Sequence, residues 1–75
     1  MKGNNKRITL CKKIWSKIRY YQLLNDLTNK DLAAYIGVSE RTLLEYDKNA
    51  HNITLGKVES FLGAVELSLD ELLSL

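Results

Sequence analysis

The chain contains no proline, one cysteine, one histidine and one tryptophan, and no acidic residue precedes Asp26. Each shortage excludes something. Without proline, nothing forces a break inside an apolar period, and a polyproline segment is ruled out. A single cysteine, Cys11, cannot close an internal disulfide. That suits a reducing cytoplasm, and its place on an apolar stripe makes it a small buried residue rather than a reactive thiol. The only histidine, His51, has no cysteine or second histidine near it, so no metal-ligand spacing exists. No glycine-rich phosphate loop occurs, nor a nucleophile with a base beside it; neither a cofactor nor an enzymatic activity is expected. The opening MKGNNKRITL is basic, but no uninterrupted apolar run follows it, which argues against a signal peptide, a transmembrane helix or any membrane partner.

What is present suits one small domain. Of the 75 residues, 45% are hydrophobic and 27% charged, a balance that excludes disorder and fits a compact all-helical fold. A chain of this length buries roughly 60% of its unfolded surface, a modest core that dimerisation would reinforce. The net charge of +2 conceals an asymmetry. Residues 1–25 hold seven basic residues and no acidic one, whereas residues 26–75 hold four basic and nine acidic. A clustered basic surface is the footprint of a polyanion, although a solvated charged face explains such a run equally well.

Taken in order, residues 1–8 carry no apolar period and read as a flexible basic arm, with residues 9–75 forming a single domain. Thr9 caps a first helix reaching about Asn25, on which Cys11, Ile14, Trp15, Ile18, Tyr21 and Leu24 form one stripe while Lys12, Lys13, Lys17 and Arg19 lie elsewhere. Aromatics on such a stripe belong to the core, although Tyr20, beside it, is placed to offer a hydroxyl to a phosphate. Thr28 with Asp31 forms a capping pair for a second helix, Asn29 to Ile36. Gly37 stops that helix in the left-handed conformation, Val38 re-enters the core, and Ser39 caps a third helix of about Glu40–Lys48. Leu43 and Tyr46 then face inward. Glu40, Arg41, Leu44, Glu45 and Lys48 face solvent, and a short helix presenting one polar face is a shape that enters a DNA major groove.

Asn49 follows as a helix terminator tolerant of the left-handed region, within a polar loop that holds His51. Thr54 caps a fourth helix with Leu55, Val58, Phe61, Leu62 and Val65 on its buried stripe, ending near Glu66. Within it Gly56 and Gly63 cost about 1 kcal/mol each if exposed, unless Gly63 admits a close helix contact. Ser68 and Glu71 form a capping box for a last short helix bearing Leu69, Leu72 and Leu73. With Leu75, that is more leucine than one helical turn needs, which points to a subunit or partner interface. The predicted core is Ile14, Ile18, Leu32, Ala33, Ile36, Val38, Leu43, Tyr46, Leu55, Val58, Phe61, Leu62, Val65, Leu69 and Leu72.

The run L-T-N-K-D-L-A-A-Y-I-G-V-S-E-R-T-L-L-E-Y-D, Leu27 to Asp47, resembles the Cro-type, lambda-repressor-like helix-turn-helix domains (XRE family) of phage and bacterial regulators. The likeness continues through N-I-T-L, Asn52 to Leu55, and A-V-E-L-S-L-D-E-L-L, Ala64 to Leu73. It spans about fifty residues in register, far more than a single short motif. The resemblance implies an all-α, compact five-helix DNA-binding domain and a sequence-specific transcriptional regulator of the Cro or repressor kind, acting on operator double-stranded DNA. It further implies that Ser39, Glu40, Arg41, Leu44 and Glu45 stand where base edges are reached. Asn29, Lys30, Lys48 and the loop around His51 then stand near phosphates, with Lys12 and Lys13 contributing from the basic first helix. Arg41 suits guanine best, because its planar fork matches O6 and N7. Glu40 and Glu45 depart from the family, which favours glutamine or basic residues there; glutamate also replaces the glycine usual at Glu66. The acidic face keeps a second reading open: an antirepressor or modulator using the same fold to hold a partner repressor protein. Partners under these readings are operator DNA, a second copy of the chain, or that repressor.

Overall fold

The computed structural model describes residues 9–75; the expected arm, residues 1–8, lies outside the described residues. The fold is all-α, with five helices and, among the described residues, no strand. In chain order these are α1 (Leu10–Leu24), α2 (Asn29–Ile36), α3 (Glu40–Lys48), α4 (Leu55–Val65) and α5 (Leu69–Leu73), with a 3-10 turn at Ala50–Asn52 between α3 and α4.

Every α-helix begins on a hydroxyl. Thr9, Thr28, Ser39, Thr54 and Ser68 each accept the backbone N–H three residues ahead, satisfying a donor that a helix start leaves unpaired. The boxes expected at Thr28 and Ser68 are both closed reciprocally, by Asp31 and Glu71. Helix ends are equally definite. Gly37 takes the left-handed conformation (φ 87°), and the N–H groups of Gly37 and Val38 converge on the Ala33 carbonyl. α4 ends in the same way, on Leu62, with Glu66 at φ 58° and ψ 44°. Glutamate therefore accepts the strained region, at a cost of about 1–2 kcal/mol. α4 also serves α2 directly: Lys57 Nζ donates to the Gly37 carbonyl (3.0 Å) and Ser60 Oγ to that of Tyr35 (2.9 Å). Two carbonyls at the end of α2 are satisfied by side chains of the helix packed beside it.

The core gathers one face of each helix: Ile14, Trp15 and Ile18 from α1, Leu32, Ala33 and Ile36 from α2, Leu43 and Tyr46 from α3, Val58 and Phe61 from α4, and Leu72 from α5. Two edge-to-face pairs, Trp15 with Tyr46 (5.1 Å) and Tyr21 with Phe61 (5.6 Å), join α1 to α3 and to α4. Val38, Leu62, Val65 and Leu69 pack against this core while only partly buried.

Several expectations are corrected. Leu55 is 70% exposed, not core: as the first residue of α4 it precedes the turn whose inner face is set by Val58 and Phe61. Leu24 is 55% exposed because α1 runs past the end of the core. Ala50, expected in a polar loop, is buried, and so is Ile53 just after it, since the 3-10 turn folds that segment back under α1 and α3. Asn49 is extended (φ −151°) rather than left-handed, and its Oδ1 caps the turn by accepting the His51 N–H (3.1 Å). The leucines of α5 are spent internally, Leu72 fully and Leu69 and Leu73 in part.

Gly63 is not a close-contact glycine, for a Cβ built there meets nothing within 4 Å. Gly63→Ala therefore adds helix propensity with no steric charge against it. Thermal or denaturant unfolding should show a gain of about 0.5–1 kcal/mol; a loss would place an unrecognised contact at that face.

Candidate nucleic-acid interface

α3 is oriented by what it buries. Leu43, fully buried, and Tyr46 face the core, which turns Glu40, Arg41, Leu44, Glu45 and Lys48 outward, all of them exposed. Ser39, at the head of the helix, is exposed too, its hydroxyl accepting the Thr42 N–H (3.2 Å) and paired with the Thr42 hydroxyl (3.0 Å). Arg41 has no carboxylate partner among the described residues. Its fork is free to meet a ligand. Burial raises the pKa of the Tyr46 phenol, with the charge of Glu45 adding to the effect, so the hydroxyl at the base of this helix stays protonated.

Beside the end of α3, a cleft of about 600 Å³ opens between α1 and the 3-10 turn. Lys12 and Ser16 from α1, Lys48 from α3 and His51 from the turn line it. Three of the expected phosphate-contacting residues, Lys12, Lys48 and His51, are thus brought together from three elements. Lys13 is exposed one residue further along α1, outside the cleft, and Lys30 is exposed in the first turn of α2. Asn29, also exposed, opens α2.

The inner wall of the cleft holds residues whose role the sequence did not disclose. Arg19 grips Asp47 through both carboxylate oxygens, with Nε at 3.1 Å from Oδ1 and Nη2 at 2.8 Å from Oδ2. The Trp15 indole N–H donates to the same Oδ1 (2.8 Å), and the Arg19 guanidinium stands over the Trp15 ring at 5.3 Å. From the other side of the fork, Nη1 donates to Gln22 Oε1 (2.6 Å) and Asn29 Oδ1 (2.8 Å). One guanidinium therefore joins α1, the start of α2 and the last turns of α3. Two clues were legible beforehand. A buried indole requires an acceptor, and an aspartate near a helix C-terminus opposes the helix dipole unless a cation holds it.

Comparison with known proteins bears on what this surface is for. No family model matches the chain, and no solved structure matches it. Over 51 residues it is 35% identical to an uncharacterized HTH-type (helix-turn-helix) transcriptional regulator of Methanocaldococcus jannaschii, a span that covers 64% of this chain and 77% of that protein. The chain belongs to the HTH-type transcriptional regulators. In this regulator, α2 and α3, joined at Gly37, have the shape of a helix-turn-helix, and among the described residues the outward face of α3 is exposed. Among the described residues no helix is long and apolar enough to cross a membrane.

Hydrogen bonds from Arg19 hold the Asp47 carboxyl below its ordinary pKa; partial burial opposes this, while the Trp15 hydrogen bond and the Arg19 charge reinforce it. The folded-state pKa is thus the lower one. The stabilisation is complete above the ordinary carboxylate value of about 4 and is lost as pH falls through the depressed folded value. Asp47→Asn keeps the shape and loses the charge. Because the pair is partly exposed, the variant should be less stable by at most about 1 kcal/mol near neutrality. In denaturant melts taken across acid pH, that gap should close as the native carboxylate is protonated, and a gap constant with pH would count against the ion pair.

Proposed function

We propose that this regulator binds double-stranded DNA sequence-specifically, as a Cro- or repressor-like protein, with α3 lying in the major groove. The observation that carries the reading is the outward face of α3, anchored from behind by Leu43 and Tyr46 and flanked by the Lys12, Lys48 and His51 cleft. A rigid helix aimed by buried residues supplies the geometry for reading base edges, and cations beside it supply the sequence-independent attraction to the backbone. In this arrangement Ser39, Glu40, Arg41, Leu44 and Glu45 face bases. Asn29, Lys30, Lys12, Lys13, Lys48 and His51 face phosphates. Arg41 bonds guanine O6 and N7, a glutamate accepts from cytosine N4, and Leu44 meets a thymine methyl.

A second reading has one observation of its own. Leu44, in the middle of the polar face, is 54% exposed, an apolar point among Glu40, Arg41, Glu45 and Lys48 whose two carboxylates suit a basic protein surface as well as a base edge. Under that reading the protein is an antirepressor or modulator that captures a repressor.

Arg41→Ala should weaken the complex with the cognate duplex by about 1–3 kcal/mol and relax selectivity at one base pair, as read by band shift across single-base variants of the site. No change with any duplex would remove α3 from the groove.

Glu40→Gln and Glu45→Gln separate the two readings, because each removes a negative charge with little change of shape. In a DNA-binding protein both raise affinity for random-sequence DNA. In a repressor-capturing protein they leave DNA binding negligible and weaken the protein complex instead, which a titration against a co-encoded repressor would reveal.

A further inference from the structure

Three large exposed apolar side chains gather in one place on α1. Tyr20 (45% exposed), Leu23 (73%) and Leu24 follow one another at three- and four-residue spacing, so they form one patch on the side of the helix turned away from the core. Single exposed leucines are ordinary; a contiguous group at the end of a helix marks a surface that something covers. That side of α1 is also basic. No acidic residue occurs between Leu10 and Leu24. Lys13, seven residues before Tyr20, lies on the same stripe with no carboxylate partner among the described residues, and its long side chain reaches a neighbouring carboxylate or a phosphate alike.

The complementary composition stands on α4. Leu55, Glu59 and Gly63 recur every fourth residue and Glu66 follows at the end of the helix, all of them exposed, so one outward stripe sets two carboxylates beside an apolar side chain. Neither carboxylate has a cation partner among the described residues. Lys57, the one cation of α4, is spent on the Gly37 carbonyl (3.0 Å).

From this complementarity we propose that the α1 patch is covered by a second copy of the chain, with Tyr20, Leu23 and Leu24 of one copy seated on the Leu55, Glu59 and Glu66 stripe of another. Charge decides against laying α1 on α1. That arrangement would bring the lysines of two copies together with only Asp26, in the turn after the helix, to offset them. Laying α1 on α4 sets opposite charges together and hides apolar surface of both helices. Because the two faces belong to different parts of the chain, the contact is head to tail. A copy that has used its α1 face still offers its α4 face, so the association extends copy by copy unless it closes into a ring. One helix laid on one helix covers less than the roughly 1,000 Å² of a stable complex, which makes the contact weak, and its charges make it sensitive to salt. The outward face of α3 takes no part, so the contact stands independently of the DNA-binding reading.

Sedimentation equilibrium of the whole chain, without DNA, tests this at low and high salt over concentrations up to about 1 mM. The wild type should associate beyond a dimer as concentration rises, and less so at high salt. Leu23→Asp, which spoils only the α1 face, and Glu59→Lys, which spoils only the α4 face, should each weaken association by about tenfold or more. Both positions are exposed, and circular dichroism melts should match the wild type. The deciding measurement mixes the two variants in equal amounts. Each keeps the face that the other lacks, so the mixture should form a complex of two chains and stop there. A wild type that stays monomeric throughout would overturn the proposal. So would a mixture no more associated than its components, or a Glu59→Lys variant that associates like the wild type while Leu23→Asp does not, which would place α1 against another surface.

Discussion

The bidentate grip of Arg19 on Asp47 is the interaction on which the polar half of this molecule depends. Burial of apolar surface brings α1, α2 and α3 together but is itself indifferent to direction, and packing leaves their crossing angles a scatter of about 15–20°. A planar fork that must meet two carboxylate oxygens, a glutamine and an asparagine at once is not indifferent. The partly exposed pair adds little to stability. Its contribution is angular. It relates the start of α2 and the end of α3 to α1, and those are the parts of a helix-turn-helix that a duplex would feel.

Behind this polar frame, the core and the helix ends divide the work. Leu32, Ile36, Leu43 and Phe61 are completely buried and supply the burial energy. The caps account for the backbone groups that burial leaves unpaired, and α4 lends Lys57 and Ser60 to the end of α2. The junction between the two helices of the motif is therefore held from the side as well as by its own glycine. Among the described residues, positive φ at non-glycine positions occurs at Glu66, after α4, and at Asp26, in the turn after α1 (φ 53°), neither of them in α3.

Charge is distributed unevenly around that face. Glu40 and Glu45 alternate with Arg41 and Lys48 along α3, whereas the cleft beside it is lined by the cations Lys12 and Lys48. In the proposed duplex complex such an arrangement would make attraction a property of the flank, and would make the α3 contacts selective through carboxylates that are repelled wherever they find no donor. The same carboxylates would serve a basic protein surface. On either proposed reading, recognition would be a balance of two groups of side chains held on one support.

Much of the fold was legible in the residues because its signals are local. Hydroxyls three residues ahead of a helical N–H, Gly37 after an apolar period, and the spacing of Leu43 and Tyr46 each act within one or two turns, and all appear as expected. Reading failed where a position's neighbours are remote in sequence. Leu55 and Leu24 fall on apolar stripes but lie beyond the ends of the helices they would pack against. Asn49 has the composition of a left-handed terminator, yet the chain must turn into the buried Ala50 and Ile53, and that path holds it extended.

For the surface, the division is the same. Composition and spacing alone determined that α3 has an outward polar face and that the first helix is basic, because both follow from helical periodicity. Only tertiary structure decided that Lys12, Lys48 and His51 share a cleft, that Lys13 stands outside it, and that Arg19 reaches Asp47, Gln22 and Asn29. Periodicity specifies which side of a helix faces out; the angles between helices, set by packing and by directional hydrogen bonds between residues as remote as Trp15 and Asp47, 32 positions apart, specify what each side chain meets there.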